Sequence, residues 1–183
     1  MSDRATFRAR LGALDVSPVE EPFRRRMLEL LDTTPDCFLR TAYPAHFTGS
    51  ALVVSADGCR VLLNHHRKLN KWITFGGHCD GDANLLRVAM REAWEESGIA
   101  GLEPVSEAPF DLDIHAIPPL KHEPAHEHFD VRYLLLAPEG AEFAVSEESH
   151  ALAWFTPEEL ASLELDASMR RLIAKWQTRQ RRG

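Results

Sequence analysis

Long apolar runs are missing from this chain, and no segment is long enough to span a bilayer. The stretch from Met1 to Leu14 carries Arg4, Arg8 and Arg10 without a continuous apolar core, so it does not read as a secretory signal. Its arginines suit a transit peptide weakly, and Asp3 and the direct continuation into helical sequence count against one. Cysteine is scarce and odd in number: Cys37, Cys59 and Cys79 lack metal-site spacing, which argues for free thiols in a reducing, cytoplasmic setting. Internal repeats and low-complexity segments are absent. So is any excess of positive charge. With a net charge of -7, nothing global points to nucleic acid or membrane, and a polyanionic substrate would need local cations or a metal.

What is present is an ordinary soluble composition, 44% hydrophobic and 27% charged over 183 residues, enough for one domain and an appended element. Residues 4–14 and 19–32 read as helices of an N-terminal extension over residues 1–45, in which we find no chemistry. Short apolar runs at Phe47–Val54 and Arg60–Asn64 flank a turn at Ala56-Asp57-Gly58. Gly76-Gly77 opens a turn-rich loop to Asp82, and a helix follows from about Ala83 to Ser97, stopped by Gly98. Strands are expected at Phe110–Ile117, Phe129–Leu136 and Ala151–Phe155. Thr156-Pro157-Glu158-Glu159 is a helix start, and a last helix covers about Ala167–Gln180, with Arg179, Arg181 and Arg182 at its basic end. Strands interleaved with helices indicate an α/β fold with a mixed sheet.

The chemistry concentrates between Gly76 and Ile99. On a helical wheel of about 100° per residue, Leu85, Leu86, Ala89 and Ala93 share a core-facing arc, and Glu92, Glu95 and Glu96 share the adjoining one. Like charges at this spacing oppose each other by roughly 0.2–0.5 kcal/mol per pair. A divalent cation removes that penalty, and hard oxygens suit magnesium, with manganese as the alternative. Arg91 is placed to hold one carboxylate, and the Gly76-Gly77 backbone offers a carbonyl ligand. The ordinary alternative is a solvated acidic face, which leaves unexplained why the glutamates abut the apolar arc.

The stretch Gly77 to Ile99, with Arg91-Glu92-Ala93-Trp94-Glu95-Glu96-Ser97-Gly98-Ile99 in register, resembles the Nudix box, and the order of strands and helices fits that family. The resemblance implies an α/β/α sandwich over residues 46–183. It also implies Glu95 and Glu96 as metal ligands with the Gly76 carbonyl nearby, Glu92 as ligand or base, and Arg91 as their orienting partner. One departure is Ala83, where the family carries its first glutamate; Asp80 and Asp82 are candidate substitutes. Glu148, six residues before Trp154, resembles the further carboxylate that many members add from a distant loop, with Glu147 beside it. The mechanism implied is metal-assisted attack of water on phosphorus.

Substrate choice has two candidate sources. His65-His66-Arg67-Lys68 and Lys71 supply positive charge, with Arg67 and Lys71 as phosphate contacts. Alternation puts Asp111, Asp113 and His115 on one face of a strand, and His126, His128 and Asp130 on one face of the next. That wall reads as a substrate pocket or as a second metal site of imidazole and carboxylate. Arg132 is expected on the other face of the second strand, where a structural ion pair is an equal alternative to a site role. The function these features imply is magnesium-dependent hydrolysis of a diphosphate bond in a nucleoside diphosphate derivative or similar small phosphorylated molecule. A degenerate, non-catalytic binding module is the alternative. No membrane or nucleic-acid partner is expected, and a homodimer is allowed.

Overall fold

The computed structural model describes residues 3–119 and 123–181. Along them run α1 (Asp3–Ala13), α2 (Glu21–Thr33), β1 (Ala45–Val54), β2 (Val61–His66), β3 (Lys71–Ile73), β4 (Phe75–His78) and α3 (Leu85–Ser97). Then follow β5 (Glu103–Pro104), β6 (Asp111–Ile117), β7 (His126–Leu136), β8 (Ser149–Phe155), α4 (Pro157–Leu160) and α5 (Ala167–Gln180). No helix among the described residues is long and apolar enough to cross a membrane. The chain divides into two compact units.

The first unit draws on the described residues of Met1–Ser50, Gly76–Ala89 and Ser106–Tyr133. Helices α1 and α2 each turn an i,i+4 pair inward, Phe7 with Leu11 and Met27 with Leu31. The Arg4 guanidinium binds the carbonyls of Leu31, Thr34 (3.0 Å) and Pro35 (2.6 Å), placing a cation on the open C-terminal end of α2. Phe47 centres the core, edge-on to Phe7 at 5.4 Å, stacked on Phe38 at 5.4 Å and edge-on to Phe129 at 6.0 Å. Glu20 is buried and accepts from the Leu112 backbone N–H (3.3 Å) and the Ser17 hydroxyl (2.7 Å). Strand β6 pairs antiparallel with β7, Asp111 opposite Arg132 through Ile117 opposite His126.

Two expectations for this unit are corrected. Gly76 and Gly77 lie within β4, which pairs with β1, and not in a loop. A Cβ at Gly76 would overlap the Ser50 side chain and come 2.9 Å from Ser50 Cα, so only glycine lets the strands approach here. Helix α3 begins at Leu85, two residues late, because the Asn84 side chain accepts the Arg87 N–H (3.1 Å) and acts as the N-cap. Its buried positions are Leu85, Val88, Ala89, Ala93 and Ser97; Leu86 is only half-buried. A Cβ on Gly49 would meet Val88 Cγ1 at 2.9 Å and the Leu85 carbonyl at 3.0 Å. Gly49→Ala is therefore expected to cost about 1–3 kcal/mol in urea denaturation. An unchanged midpoint would show that the N-terminal turn of α3 moves freely.

The second unit draws on the described residues of Ala51–Phe75, Met90–Val105 and Leu134–Gly183. Strand β8 runs antiparallel along one edge of β2, and the end of β1 and then β3 run antiparallel along the other. The β1–β2 turn forms as expected: Gly58 takes φ 71°, and Asp57 accepts from Ser55 Oγ (2.5 Å) and the Cys59 N–H (2.9 Å). The capping box also forms, Thr156 accepting the Glu159 N–H (3.3 Å) while the Glu159 carboxylate accepts the Thr156 N–H (2.8 Å). Helix α5 starts on Asp166, which accepts the Met169 N–H (2.9 Å), and buries Met169, Leu172, Ile173 and Trp176. Of its basic end, Arg182 lies outside the described residues.

All three cysteines are free thiols, Cys37 and Cys79 buried and Cys59 exposed. Burial pushes the Cys37 thiol above its ordinary pKa, which suppresses the reactive thiolate. One thiol, Cys59, is expected to react promptly with an aromatic disulfide reagent in the native protein, and all three only after denaturation. Prompt reaction of more than one would overturn that burial.

Candidate active site

In the second unit, the 3.6-residue repeat of α3 sets Glu92, Glu95 and Glu96 along one edge. The Arg91 guanidinium donates to the Glu92 carboxylate at 2.6 Å, with the Glu92 side chain only 15% exposed. Glu96 accepts from the Nδ2 of Asn64 at 3.3 Å. Asn64 is fully buried in β2, and its Oδ1 has no hydrogen-bond partner among the described residues. An orphaned buried carbonyl oxygen beside carboxylates held on one helical edge is a donor set of hard oxygens, and it fits magnesium or manganese. Asn64 was missed in the sequence. Its signal is a lone amide closing the run Val61-Leu62-Leu63, since a polar side chain in a buried strand demands a partner.

Other predicted residues of this unit fall around the β2–β3 turn. Arg67 and Glu148 are brought together: the Glu148 carbonyl accepts the Arg67 N–H (2.9 Å), and the Arg67 guanidinium donates to the Ser149 carbonyl (3.0 Å). Both side chains are exposed, as is that of Lys71, which opens β3 opposite His66. His65 stacks on Trp72 at 4.9 Å, and Trp72 meets Phe155 edge-on at 4.8 Å.

In the first unit, the alternation of β6 and β7 does build one polar wall. Asp113 stands opposite Asp130 and His115 opposite His128. Arg132 belongs to that wall, a correction that follows from period two: residues 126, 128, 130 and 132 share a face. Its guanidinium donates to Asp130 (2.8 Å), Asp113 (3.2 Å) and Asp111 (3.3 Å), all four residues being buried. Neighbouring β1 adds Thr48 and Ser50, whose hydroxyls donate to Asp130 at 3.0 and 2.6 Å. Asp82, a candidate substitute near Ala83, holds Arg87 through Nη2 at 2.6 Å. Gly76 is a separate candidate in this unit, its carbonyl carried by β4.

Five imidazoles gather on this wall, those of His46, His78, His115, His126 and His128, with neighbouring ring centres 4.9–5.4 Å apart. Burial, with the charge of surrounding cations, pushes His78 down to about 4 and His128 down to about 2, and burial also lowers His46. His115 goes the other way. Burial lowers it, but the hydrogen bond to Asp113 (3.2 Å) and the charges of Asp130 and Asp113 outweigh that and raise its pKa. His46 and His78 had no assigned role in the sequence. For His46 the available signal was its parity with Thr48 and Ser50 in β1.

Residues 46–176 match the family model of the NUDIX domain. The chain belongs to the Nudix hydrolase family. Solved structures similar to this Nudix protein include an Ap4A hydrolase of C. elegans, 17% identical, covering 75% of this chain and 98% of that one, TM-score 0.61. The NUDIX domain of Shewanella oneidensis NrtR, in complex with ADP ribose, is 17% identical over 83% of this chain and 97% of that one, TM-score 0.54. A MutT protein from Methanosarcina mazei is 23% identical over 75% of this chain and 96% of that one, TM-score 0.53. These likenesses establish the α/β fold with its mixed sheet. No curated protein matches the chain.

Proposed function

We propose that this Nudix hydrolase cleaves the diphosphate bond of a nucleoside diphosphate derivative or a similar small phosphorylated substrate, with magnesium or manganese as its metal. The observation that carries the reading is the edge of α3, where Glu92 and Glu96 are each held by a neighbouring side chain beside the orphaned Asn64 oxygen. Glu92, Glu95 and Glu96 would hold the cation, with Glu148 as a further ligand. Bound there, a divalent cation would offset phosphate charge and make water more acidic. Glu92 is the proposed base, accepting a proton from the attacking water at a carboxylate oxygen. Arg91 fixes its orientation, and Asn64 does the same for Glu96. Arg67 and Lys71 are proposed to take phosphate oxygens. In the first unit, His115, His126, His128 and Asp130 are proposed as substrate contacts. We take residues 46–183 as the catalytic domain and residues 1–45 as its extension, and the free thiols support a cytoplasmic setting.

Similar structures named for Ap4A hydrolysis or holding ADP ribose support a nucleotide-derived substrate. Ala83 favours the alternative of a binding module that has lost turnover. A screen with magnesium against nucleoside triphosphates, dinucleoside polyphosphates, ADP-ribose, NADH, nucleotide sugars and coenzyme A decides between them. Turnover of one compound, absent from the Glu96→Gln variant, is expected. Ligand-induced thermal stabilisation without turnover would establish the binding module.

A further inference from the structure

The imidazole cluster of the first unit shares no residue with the glutamate edge of α3, and its donors are of another kind. His46 on β1, His78 on β4 and His128 on β7 each offer one ring nitrogen, and the three nitrogens lie within 4.8 Å of one another. A tetrahedral ion with bonds of about 2.0–2.1 Å needs its nitrogens roughly 3.4 Å apart, a closure within reach of small ring rotations.

The hydrogen bonds set the rings for metal. His46 is 1% exposed and places Nδ1 3.1 Å from the Ala42 carbonyl, so Nδ1 carries the proton and Nε2 the lone pair. That Nε2 is buried and has no hydrogen-bond partner among the described residues, a costly state for a polar atom. His126 donates its Nδ1 proton to the Pro124 carbonyl (2.8 Å), so its Nε2 accepts from the Nε2 of His128 at 3.3 Å. The lone pair of His128 is thereby left on Nδ1. At His78 the Nδ1 lone pair is taken by Arg40, whose guanidinium donates to it at 2.7 Å. A guanidinium has no lone pair to offer and repels a cation, so Arg40 and a metal compete for His78.

We propose that His46, His78 and His128 form a binding site for a divalent transition metal of the zinc class, with Arg40 as the group the metal displaces. Three neutral imidazoles select such an ion over magnesium, and three protein ligands leave a fourth position open.

The test uses the full chain, stripped with a chelator and titrated with Co2+ and then Zn2+. One equivalent of Co2+ is expected to develop the intensified visible bands of a four- or five-coordinate ion, and Zn2+ to abolish them. Zn2+ affinity should fall at least about tenfold in His46→Gln and in His128→Gln, and should persist in the Glu95→Gln/Glu96→Gln double variant. Arg40→Ala should bind Zn2+ several-fold more tightly. Absence of stoichiometric binding overturns the proposal, as does binding that survives both histidine changes. Should the histidine variants fail to fold, zinc-edge X-ray absorption on the wild-type protein decides: a shell containing three imidazoles supports the site, and an all-oxygen shell overturns it. None of these readouts requires hydrolase activity, so this proposal and the hydrolase reading fail separately.

Discussion

Replacing Arg132 by methionine is expected to leave the protein unable to fold stably. Arg132 is 5% exposed, and its guanidinium donates to Asp111, Asp113 and Asp130, themselves 0%, 4% and 4% exposed. Methionine has the volume to fill the site and none of the charge, so three buried carboxylates would lose the guanidinium they share, and His115 would still meet only Asp113. Breaking a buried ion pair costs about 3–5 kcal/mol. Set against a typical stability of roughly 5–15 kcal/mol, that loss puts most of the folded population at risk. Thr48 and Ser50 would still donate to Asp130, but hydroxyls cannot neutralise it. Arg132→Lys should fall between the two, because it restores the charge without the planar fork that reaches three partners. Circular dichroism and urea denaturation read the result. A melting temperature within a few degrees of wild type for Arg132→Met would show that the guanidinium is not what holds the cluster.

Glu96→Gln and Glu95→Gln are expected to lower kcat/KM on the order of 10³-fold, about 4 kcal/mol, while the protein stays folded. Both side chains lie on the helix edge that borders the core and not in it, so an amide of the same size replaces each carboxylate with little packing change. Removing repulsion between like charges should even raise thermal stability slightly. Loss of activity with stability kept or gained is the signature of carboxylates arranged for a cation and not for the fold. Asn64→Ala should act differently, weakening activation by magnesium about 10–100-fold while kcat at saturating metal changes less, because Asn64 orients Glu96. Wild-type turnover in either glutamine variant would remove α3 from the chemistry.

The parts of this molecule that were legible in the sequence are those decided by neighbours a few residues away. Thr156 and Glu159 form a capping box because both groups sit within one turn, and Gly98 stops α3 because the next residue must take φ 70°. The facing of β6 and β7 was legible too, through strict alternation, although Arg132 was misassigned when the same alternation put it with Asp130. What stayed hidden depends on partners far along the chain. Gly76 and Gly77 read as a loop because nothing nearby reveals that Ser50 lies against Gly76. Asn64 looked like the end of a strand until Glu96 gave it a partner. His46 had no meaning alone and acquires one when β4 and β7 bring His78 and His128 beside it.

The rungs of β6 and β7 carry a consequence for how chains of this kind diverge. Asp111, Asp113 and His115 alternate with Leu112 and Ile114, and Arg132, Asp130 and His128 alternate with Val131 and Phe129. Gaining or losing one residue inside either strand would exchange the two sets, driving Leu112, Val131 and Phe129, now 0%, 0% and 3% exposed, toward the polar side. Carboxylates would enter the apolar layer with no guanidinium to meet them. Related sequences should therefore vary in length outside these two strands and hold the count within them invariant, and the spacing from Asp111 to His115 and from His128 to Arg132 becomes a ruler by which distant members can be aligned.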